Sequence, residues 1–283
     1  MLKKLLKYEF KSVSRILIPL LAGTLFLALI TSVLFTVNYR YLSNNSDSLP
    51  SSIFVTVMIT LLVFCCIAIA ASSLVVFFIL MQRYYKSFFG DEGYLTFTLP
   101  AKISEHLWAK LITGFVWTVL SIITIFISIM LLLVFGTAEG GEIINTQILI
   151  ELANAFKEMF VYFGTTNTIF YIIEFVILAV VGLASQMLLY YLAITIGSII
   201  AKKHKILASI GAYFGINTVT GIIGNIIIVL ILLRSGELFF SGENVFNRAT
   251  HSTMILLTLV YIAMGTAAFL ISKYMLKNKL NLE

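Results

Sequence analysis

The sequence predicts an all-α, polytopic membrane protein with six transmembrane helices, because of its composition and its long apolar runs. The 283-residue chain is 60% hydrophobic and only 11% charged, whereas about 25% of the residues of a soluble domain are charged. A helix needs roughly 20 apolar residues to cross the hydrocarbon core of a bilayer. Runs of this kind lie at 16–37, 53–81, 111–135, 169–200, 206–233 and 253–275. They are continuously apolar, unlike the alternating strands of a membrane β-barrel, so we expect one transmembrane domain over 1–283.

The basic residues predict the orientation of these spans, since Lys and Arg are enriched in cytoplasmic loops. If the N-terminus is cytosolic, the inner segments hold fifteen of the 19 Lys and Arg residues. These are five in 3–15, four in 83–110, three in 202–205 and three in 273–279. We therefore expect a multi-pass protein of the plasma membrane with both termini in the cytosol. The same asymmetry accounts for the net charge of +6, so the bilayer is an expected partner and a nucleic acid is not.

The first fifteen residues, "MLKKLLKYEFKSVSR", predict an amphipathic helix ahead of the first span. Leucine, phenylalanine and valine recur near helical spacing, and the lysines fall largely between them. Such a basic amphipathic helix is expected to lie along the inner membrane surface, with its lysines facing anionic lipid. Two compatible roles stay open: orienting the first span and contacting a cytosolic partner.

The loop between the second and third spans, "RYYKSFFGDEGYLTFTLPAK", concentrates charges and aromatic residues between two apolar runs. The helix of the second span is expected to continue through Phe89, and Gly90 and Gly93 bracket a sharp turn. A new helix can begin at Pro100, since proline suits the first helical position. The pattern favours a surface that docks onto another protein. It is also typical of an interfacial hairpin whose rings lie among the lipid headgroups.

The loop between the third and fourth spans predicts a further amphipathic helix at about 143–163. Its apolar residues form one stripe, and Glu151, Asn154 and Lys157 fall on the other side. This helix is too short and too polar to be a seventh span, so we expect it at the outer membrane interface. Its role is left open.

Glu174 is the one acid that lies well within a predicted span. Carboxylates inside a membrane are costly and are functional candidates for that reason. Glu174 lies near the outer end of its span, however, so snorkelling to the outer interface, or capture by an outer-loop base such as Arg234 or Arg248, is the interpretation that we favour.

The fifth predicted span carries small and polar residues. Gly211 and Gly215 form a small-xxx-small pair, which lets another helix approach closely. Asn217, Thr218 and Thr220 can bond across helices, which is the simpler interpretation, or face a transport path.

The chain lacks the usual motifs of catalysis. It contains no G-x-x-x-x-G-K-[ST] phosphate loop, no H-E-x-x-H and no G-x-S-x-G. His106, His204 and His251 are scattered without metal-ligand spacing, and the adjacent Cys65 and Cys66 are expected to serve packing. We therefore expect no catalytic residue, metal or cofactor in this chain, and no enzyme.

The stretch "FFGDEGYLTFTLPAKISEHLWAKL" resembles the cytosolic loop of ABC-2 type permease subunits, which belong to ATP-binding cassette exporters of Gram-positive bacteria. The "MLKKLLKYEFKS" start and the six-span plan are similar too. The resemblance implies that this loop is a coupling helix seated on a separate ATPase subunit, which binds ATP and Mg. It also implies a second permease chain, identical or merely similar. The helical outer loop at 137–168 departs from the pattern of related transporters.

The resemblance further implies roles for particular residues. The expected ATPase contacts are Tyr85, Phe88, Phe89, Asp91 and Glu92. The candidates for lining the transport path are Thr56, Thr60, Asn217, Thr218 and Thr220.

Three functions are thus carried forward from the sequence. The first is an ABC transporter permease that exports a peptide, lipid-like or drug-like substrate. The second is a membrane scaffold, sensor or immunity protein that transports nothing. The third is a secondary transporter that uses Glu174.

Overall fold

A computed structural model describes residues 1–44, 50–90, 92–98, 100–136, 146–201, 204–236 and 243–278, and these residues form α-helices and no strand. The helices are α1 (Leu2–Asn44), α2 (Pro50–Phe89), α3 (Glu92–Thr98), α4 (Ile103–Gly136), α5 (Thr146–Phe163), α6 (Thr165–Ile200), α7 (Lys205–Gly236) and α8 (Glu243–Asn278). The prediction of an all-α fold is confirmed for this part of the chain.

Six of these helices, α1, α2, α4, α6, α7 and α8, are long and apolar enough to cross a membrane. Each predicted span lies inside one of them, so the prediction of six helices of spanning length and apolar composition is confirmed for the described residues. The other two helices are shorter: α3 has 7 residues and α5 has 18. No residue of α5 is buried.

Helix α1 differs from the expectation of a separate N-terminal helix. It runs for 43 residues without a break, with Pro19 in its interior. The change from a basic to an apolar composition near residue 16 does not end the helix, because residues 2–18 contain no glycine or proline. Pro19 removes one backbone hydrogen bond, and the helix continues past it.

The segment after α2 is more helical than the sequence suggested. The backbone N–H of Gly93 donates to the carbonyl of Gly90 at 2.8 Å, closing the expected turn. This turn opens α3, at a place where the residues by themselves did not indicate a helix, although the resemblance implied a coupling helix somewhere in this loop.

Helix α4 begins at Ile103, three residues later than expected at Pro100. The backbone N–H of Lys102 donates to Oε2 of Glu105 at 3.1 Å. In return the N–H of Glu105 donates to the carbonyl of Lys102 at 2.8 Å. This reciprocal pair is a form of capping box, and it satisfies N–H groups that a helix start leaves unpaired.

The chain divides into two compact units. One consists of Met1–Leu6, Met81–Phe115 and Phe160–Glu283, and the other of Lys7–Leu80 and Val116–Met159. In the second unit α1, α2 and α4 meet at a core of Ala28, Cys65 and Ile69. Both cysteines are free thiols.

In the first unit α6 packs against α7 and α8. Helices α6 and α7 run antiparallel: the rings of Tyr190 and Tyr213 lie 5.0 Å apart, and the hydroxyl of Ser209, earlier in α7, donates to the carbonyl of Ile194, later in α6. A Cβ at Gly197 would lie 2.2 Å from the backbone nitrogen of Ser209, so only glycine permits this approach.

Helices α6 and α8 run parallel. Near the start of both helices Glu174 contacts His251, and further along Ser185 Oγ donates to the carbonyl of Tyr261 at 2.6 Å. The parallel direction agrees with the predicted order of spans, in which α6 and α8 are the fourth and sixth spans and cross the membrane in the same direction. It gives α6 two distinct ends, each with its own cluster of side chains.

Candidate functional site

Helix α3 has one face turned toward the protein and one turned away from it. Gly93 is buried and Phe97, one turn later, is half-buried. Between them Tyr94 and Leu95 are 57% and 71% exposed. Residues four apart share one side of a helix, so α3 rests on Gly93 and Phe97 and presents Tyr94 and Leu95 outward.

A row of four rings connects α3 to α6, and we call Phe97, Phe88, Tyr84 and Tyr191 the aromatic ladder. The ring centroids of Phe97 and Phe88 are 6.1 Å apart, and those of Phe88 and Tyr84 are 5.0 Å apart. The rings of Tyr84 and Tyr191 stack at 4.1 Å with an interplanar angle of 3°. The ladder joins one element outside the predicted spans to the C-terminal ends of α2 and α6.

Hydrogen bonds hold the ladder to its helices. The hydroxyls of Tyr84 and Thr195 are 2.9 Å apart, and Thr195 donates to the carbonyl of Tyr191 at 2.7 Å. The hydroxyl of Tyr191 donates to the carbonyl of Lys110 on α4 at 3.2 Å. Breaking such buried bonds costs more than an exposed bond is worth, because the groups left behind are not solvated.

Lys110 also contacts the ladder through its charge. Its side chain is only 6% exposed, and its Nζ lies 5.7 Å from the centroid of the Phe88 ring. A cation over an aromatic face is attracted by the ring quadrupole. Phe88 therefore contacts both the ring of Phe97 on α3 and the ammonium group of Lys110 on α4.

The expected ATPase contacts are only partly at the surface. Phe88 is 0% exposed, so in this structure it has no surface to offer a partner. Tyr85 and Phe89 are half-buried and stack at 6.0 Å. The carboxylate of Glu92 is half exposed and lies 3.6 Å from Arg83. Asp91 lies outside the described residues.

Tyr94 and Leu95 are the surface residues of this loop that the sequence analysis missed. It placed a turn at Gly90 and Gly93 and a helix start at Pro100, and it named no contact residue between them. No local signal marks Tyr94 and Leu95, because a helix of 7 residues is too short to show by periodicity which side is buried.

The candidates for lining a transport path lie at exposed positions. Thr56, Thr60, Asn217 and Thr218 are exposed, and Thr220 is half-buried. The hydroxyl of Thr60 donates to the carbonyl of Thr56, and those of Thr218 and Thr220 donate to carbonyls of α7. These bonds within one helix let a hydroxyl face apolar surroundings. The role in lining a path stays a prediction.

The small-xxx-small pair of α7 has no close neighbour in the described part of the chain. A Cβ at Gly211 or Gly215 would meet no atom within 4 Å. The close helix approach that the pair predicts is therefore not made among the helices described here.

Glu174 has a partner that the sequence analysis did not consider. His251 Nδ1 lies 2.9 Å from both carboxylate oxygens of Glu174. The side chain of Glu174 is 19% exposed and that of His251 is 25% exposed. Glu174 therefore does not stand alone and His251 is not isolated, contrary to the sequence analysis. The side chains of Arg234 and Arg248, the bases that we favoured, lie outside the described residues.

Aromatic residues surround this pair. The Tyr171 ring stacks on the imidazole of His251 at 4.3 Å and 9°, and Phe170 meets it edge-on at 6.4 Å. Among the described residues no group of three or more His, Cys, Asp or Glu could hold a metal ion. The sequence could not reveal the pair, because the two residues are 77 positions apart and meet only through the parallel packing of α6 and α8.

The chain matches no protein-family profile, no curated protein and no solved structure.

Proposed function

We propose that the chain is the membrane-spanning permease subunit of an ABC-2 type exporter, driven by a separate ATPase that docks on α3. The observation that carries the proposal is α3 itself. It is a short helix between two spans with an outward apolar face, in the loop that resembles the coupling loop of such permeases. Six helices of spanning length and the lack of a phosphate loop in the sequence also support a transport subunit that carries no ATPase of its own.

A helix of seven residues is not stable in isolation. Its stability here comes from Gly93 and from the contact of Phe97 with the buried ring of Phe88. Leu95 and Tyr94 are therefore held in place by the buried side of α3, and tyrosine is among the residues that contribute most of the energy of protein interfaces. This arrangement is suited to a docking helix.

The excess of Lys and Arg assigns α3, both chain termini and the α6–α7 loop to the cytosol. The contacts between the ends of α2 and α6 and the start of α4 support this topology, because they put these helix ends on one side of the first unit. The start of α1 then carries its lysines on the cytosolic side, and α5 lies at the outer interface of the plasma membrane.

In the proposed mechanism two permease chains, identical or similar, surround a path for a peptide, lipid-like or drug-like substrate. ATP and Mg bind to the ATPase subunits, and this chain needs no cofactor. Closure of the ATPases displaces α3, and the spans respond by changing their packing. Nucleotide shifts the permease between two states only to the extent that the docked ATPase binds one state better than the other.

The test is the replacement of Leu95 by aspartate in the chain co-expressed with a phosphate-loop ATPase that copurifies with the wild-type chain. Loss of an apolar anchor and introduction of a charge should weaken the complex roughly tenfold or more. Copurification and substrate-stimulated ATP hydrolysis are measured. A normal complex with normal hydrolysis overturns the docking assignment.

Val161→Asp is the matched control, since Val161 is 78% exposed but lies on α5, outside the proposed docking surface. This variant should retain the complex. If both substitutions abolish it equally, the loss reflects general damage and the proposed site is wrong.

The pairing of Glu174 with His251 favours a second candidate, a secondary transporter coupled to protons. A carboxylate and an imidazole within spans are the groups from which proton relays are built. Purified wild-type chain in vesicles, without any nucleotide, should then move substrate when a pH gradient is imposed. Transport that instead requires ATP excludes this candidate.

A further inference from the structure

The outward face of α3 explains how a partner could bind there, but not how binding could affect the spans. Among the described contacts that α3 makes, the ring of Phe97 against Phe88 leads inward. From Phe88 the next ring is Tyr84, and from Tyr84 it is Tyr191 on α6. We propose that the aromatic ladder transmits a displacement of α3 to the C-terminal part of α6, and thereby deepens the proposed function on which it rests.

Burial gives the ladder its stiffness. Phe88, Tyr84 and Tyr191 are 0%, 1% and 2% exposed. Protein interiors are packed as densely as organic crystals, so buried rings in contact have little room to move independently. A shift of Phe97 therefore has to be taken up by the rings beneath it.

The hydroxyl end of Tyr191 is also closely packed, against Gly114 of α4. A Cβ at Gly114 would lie 2.8 Å from the hydroxyl of Tyr191 and 2.8 Å from Cε of Met187. Helix α4 thus packs against the hydroxyl of Tyr191 so closely that a methyl group at Gly114 would not fit. The ring cannot absorb a push by tilting toward α4.

The hydrogen bonds decide which helices move together. Tyr84 on α2 is joined to Thr195 on α6, and Tyr191 on α6 is joined to Lys110 on α4. Sliding α6 past either neighbour would break a buried hydrogen bond, which is unfavourable. The ends of α2, α4 and α6 should therefore change position as a group between discrete arrangements, as packed helices do in switching proteins.

Helix α6 is well placed to pass such a change on, because it packs against both α7 and α8. Gly197 and Gly265 are the close contacts of these two interfaces, with Ser209 and Ser185 respectively. Phe97, Phe88, Tyr84 and Tyr191 are accordingly positioning residues. In the proposed mechanism they act through α6.

The experiment measures backbone hydrogen exchange of the α6 segment 187–200 in the full chain reconstituted in lipid nanodiscs. No ATPase is present. Phe97→Ala removes the first ring without touching α6, and Phe97 is only half-buried, so the fold should survive. Exchange in 187–200 should rise roughly three- to tenfold, which is the size expected for losing one aromatic contact.

Two further variants separate transmission from simple loss of stability. Phe97→Tyr keeps a ring at this position and should restore exchange in 187–200 to the wild-type rate. Leu95→Ala alters the same helix on its exposed face and should leave 187–200 unchanged. An equal rise in Phe97→Ala and Leu95→Ala overturns the proposal, as does a rise that is confined to α3.

A double-mutant cycle tests whether the ladder acts as one unit. Tyr84→Phe retains the ring but loses the bond to Thr195. Combined with Phe97→Ala, its effect on exchange should be clearly non-additive, since both lie on one path. Strict additivity would contradict a connected ladder.

The outcome is separable from that of the proposed function. If exchange behaves as expected but no ATPase binds to α3, the ladder stands and the ABC transporter assignment fails. If an ATPase binds and its hydrolysis is stimulated, but Phe97→Ala does not change hydrogen exchange in 187–200, the ABC transporter assignment stands. The proposal that the aromatic ladder transmits the displacement is then wrong.

Discussion

The two ends of α6 are built differently, although both lie within one helix of spanning length. At the C-terminal end Tyr191 and Thr195 are almost completely buried and are bonded to α4 and α2. At the N-terminal end Glu174 is partly exposed and pairs with His251 on α8. Most of the buried residues of α6 lie between Ser185 and Ser198.

This difference suits the two ends of α6 to different roles. The buried end has dense packing and bonds to two neighbours, which suits the transmission of force. The other end is held by one ionisable pair that retains some contact with its surroundings. A change of packing at the C-terminal end can displace the N-terminal end, because both belong to one continuous helix.

The largest expected effect comes from removing a ring at the buried end. Tyr191→Ala would leave a cavity and cost about 3–5 kcal/mol, as truncation of a buried aromatic residue does. Tyr171→Ala at the other end should cost clearly less, because Tyr171 is only half-buried. Thermal unfolding in detergent measures both, and equal losses would contradict the difference between the ends.

A second effect concerns the approach of α7 to α6. Gly197→Ala would force a Cβ to within 2.2 Å of the Ser209 nitrogen, so the hairpin must open at a cost of about 1–3 kcal/mol. Gly182→Ala is the control, since its Cβ would meet no atom within 4 Å, and it should be neutral or slightly stabilising. The comparison of the two unfolding midpoints is the measurement. A neutral Gly197→Ala would show that α7 is not held against α6 at this point.

The smallest effect is expected at the ionisable pair. Glu174→Gln keeps a hydrogen-bond acceptor for His251 but removes the charge, and it should cost about 1 kcal/mol. Glu158→Gln on the exposed surface of α5 is the matched control and should be neutral. The coupling between Glu174→Gln and His251→Gln is obtained from a double-mutant cycle of unfolding midpoints. Coupling indistinguishable from zero would mean that the pair does not join α6 to α8.

The spans could be predicted from the sequence because membrane insertion depends on local composition. Each of the six apolar runs became one helix, and only helix ends differed, as at α1 and α4. The helical nature of α3 could not be predicted from its residues alone, although the resemblance implied a coupling helix in this loop. Seven residues carry too little periodicity to distinguish a helix from a loop, and the stabilising contact comes from Phe88 on another helix.

The roles that the sequence analysis gave to the candidate site residues stay predictions, and the structure adds how deeply each of these residues is buried. The sequence pointed to the loop after α2 and to Glu174. It assigned Phe88 to the surface, because nothing local shows that Tyr191 and Lys110 approach from two other helices to cover that end of α2. It separated Glu174 from His251 for the same reason.

What the sequence determined by itself is a helical chain with six segments of spanning length and an excess of basic residues in alternate loops. These properties follow from lengths, hydropathy and charge, which act locally. The tertiary structure decided which faces are buried, which residues of the loop after α2 are exposed, and which partner Glu174 has. Spans that are apolar on every side have no amphipathic stripe to indicate which face contacts a neighbour. The buried faces and the contact partners are therefore set only when the helices pack.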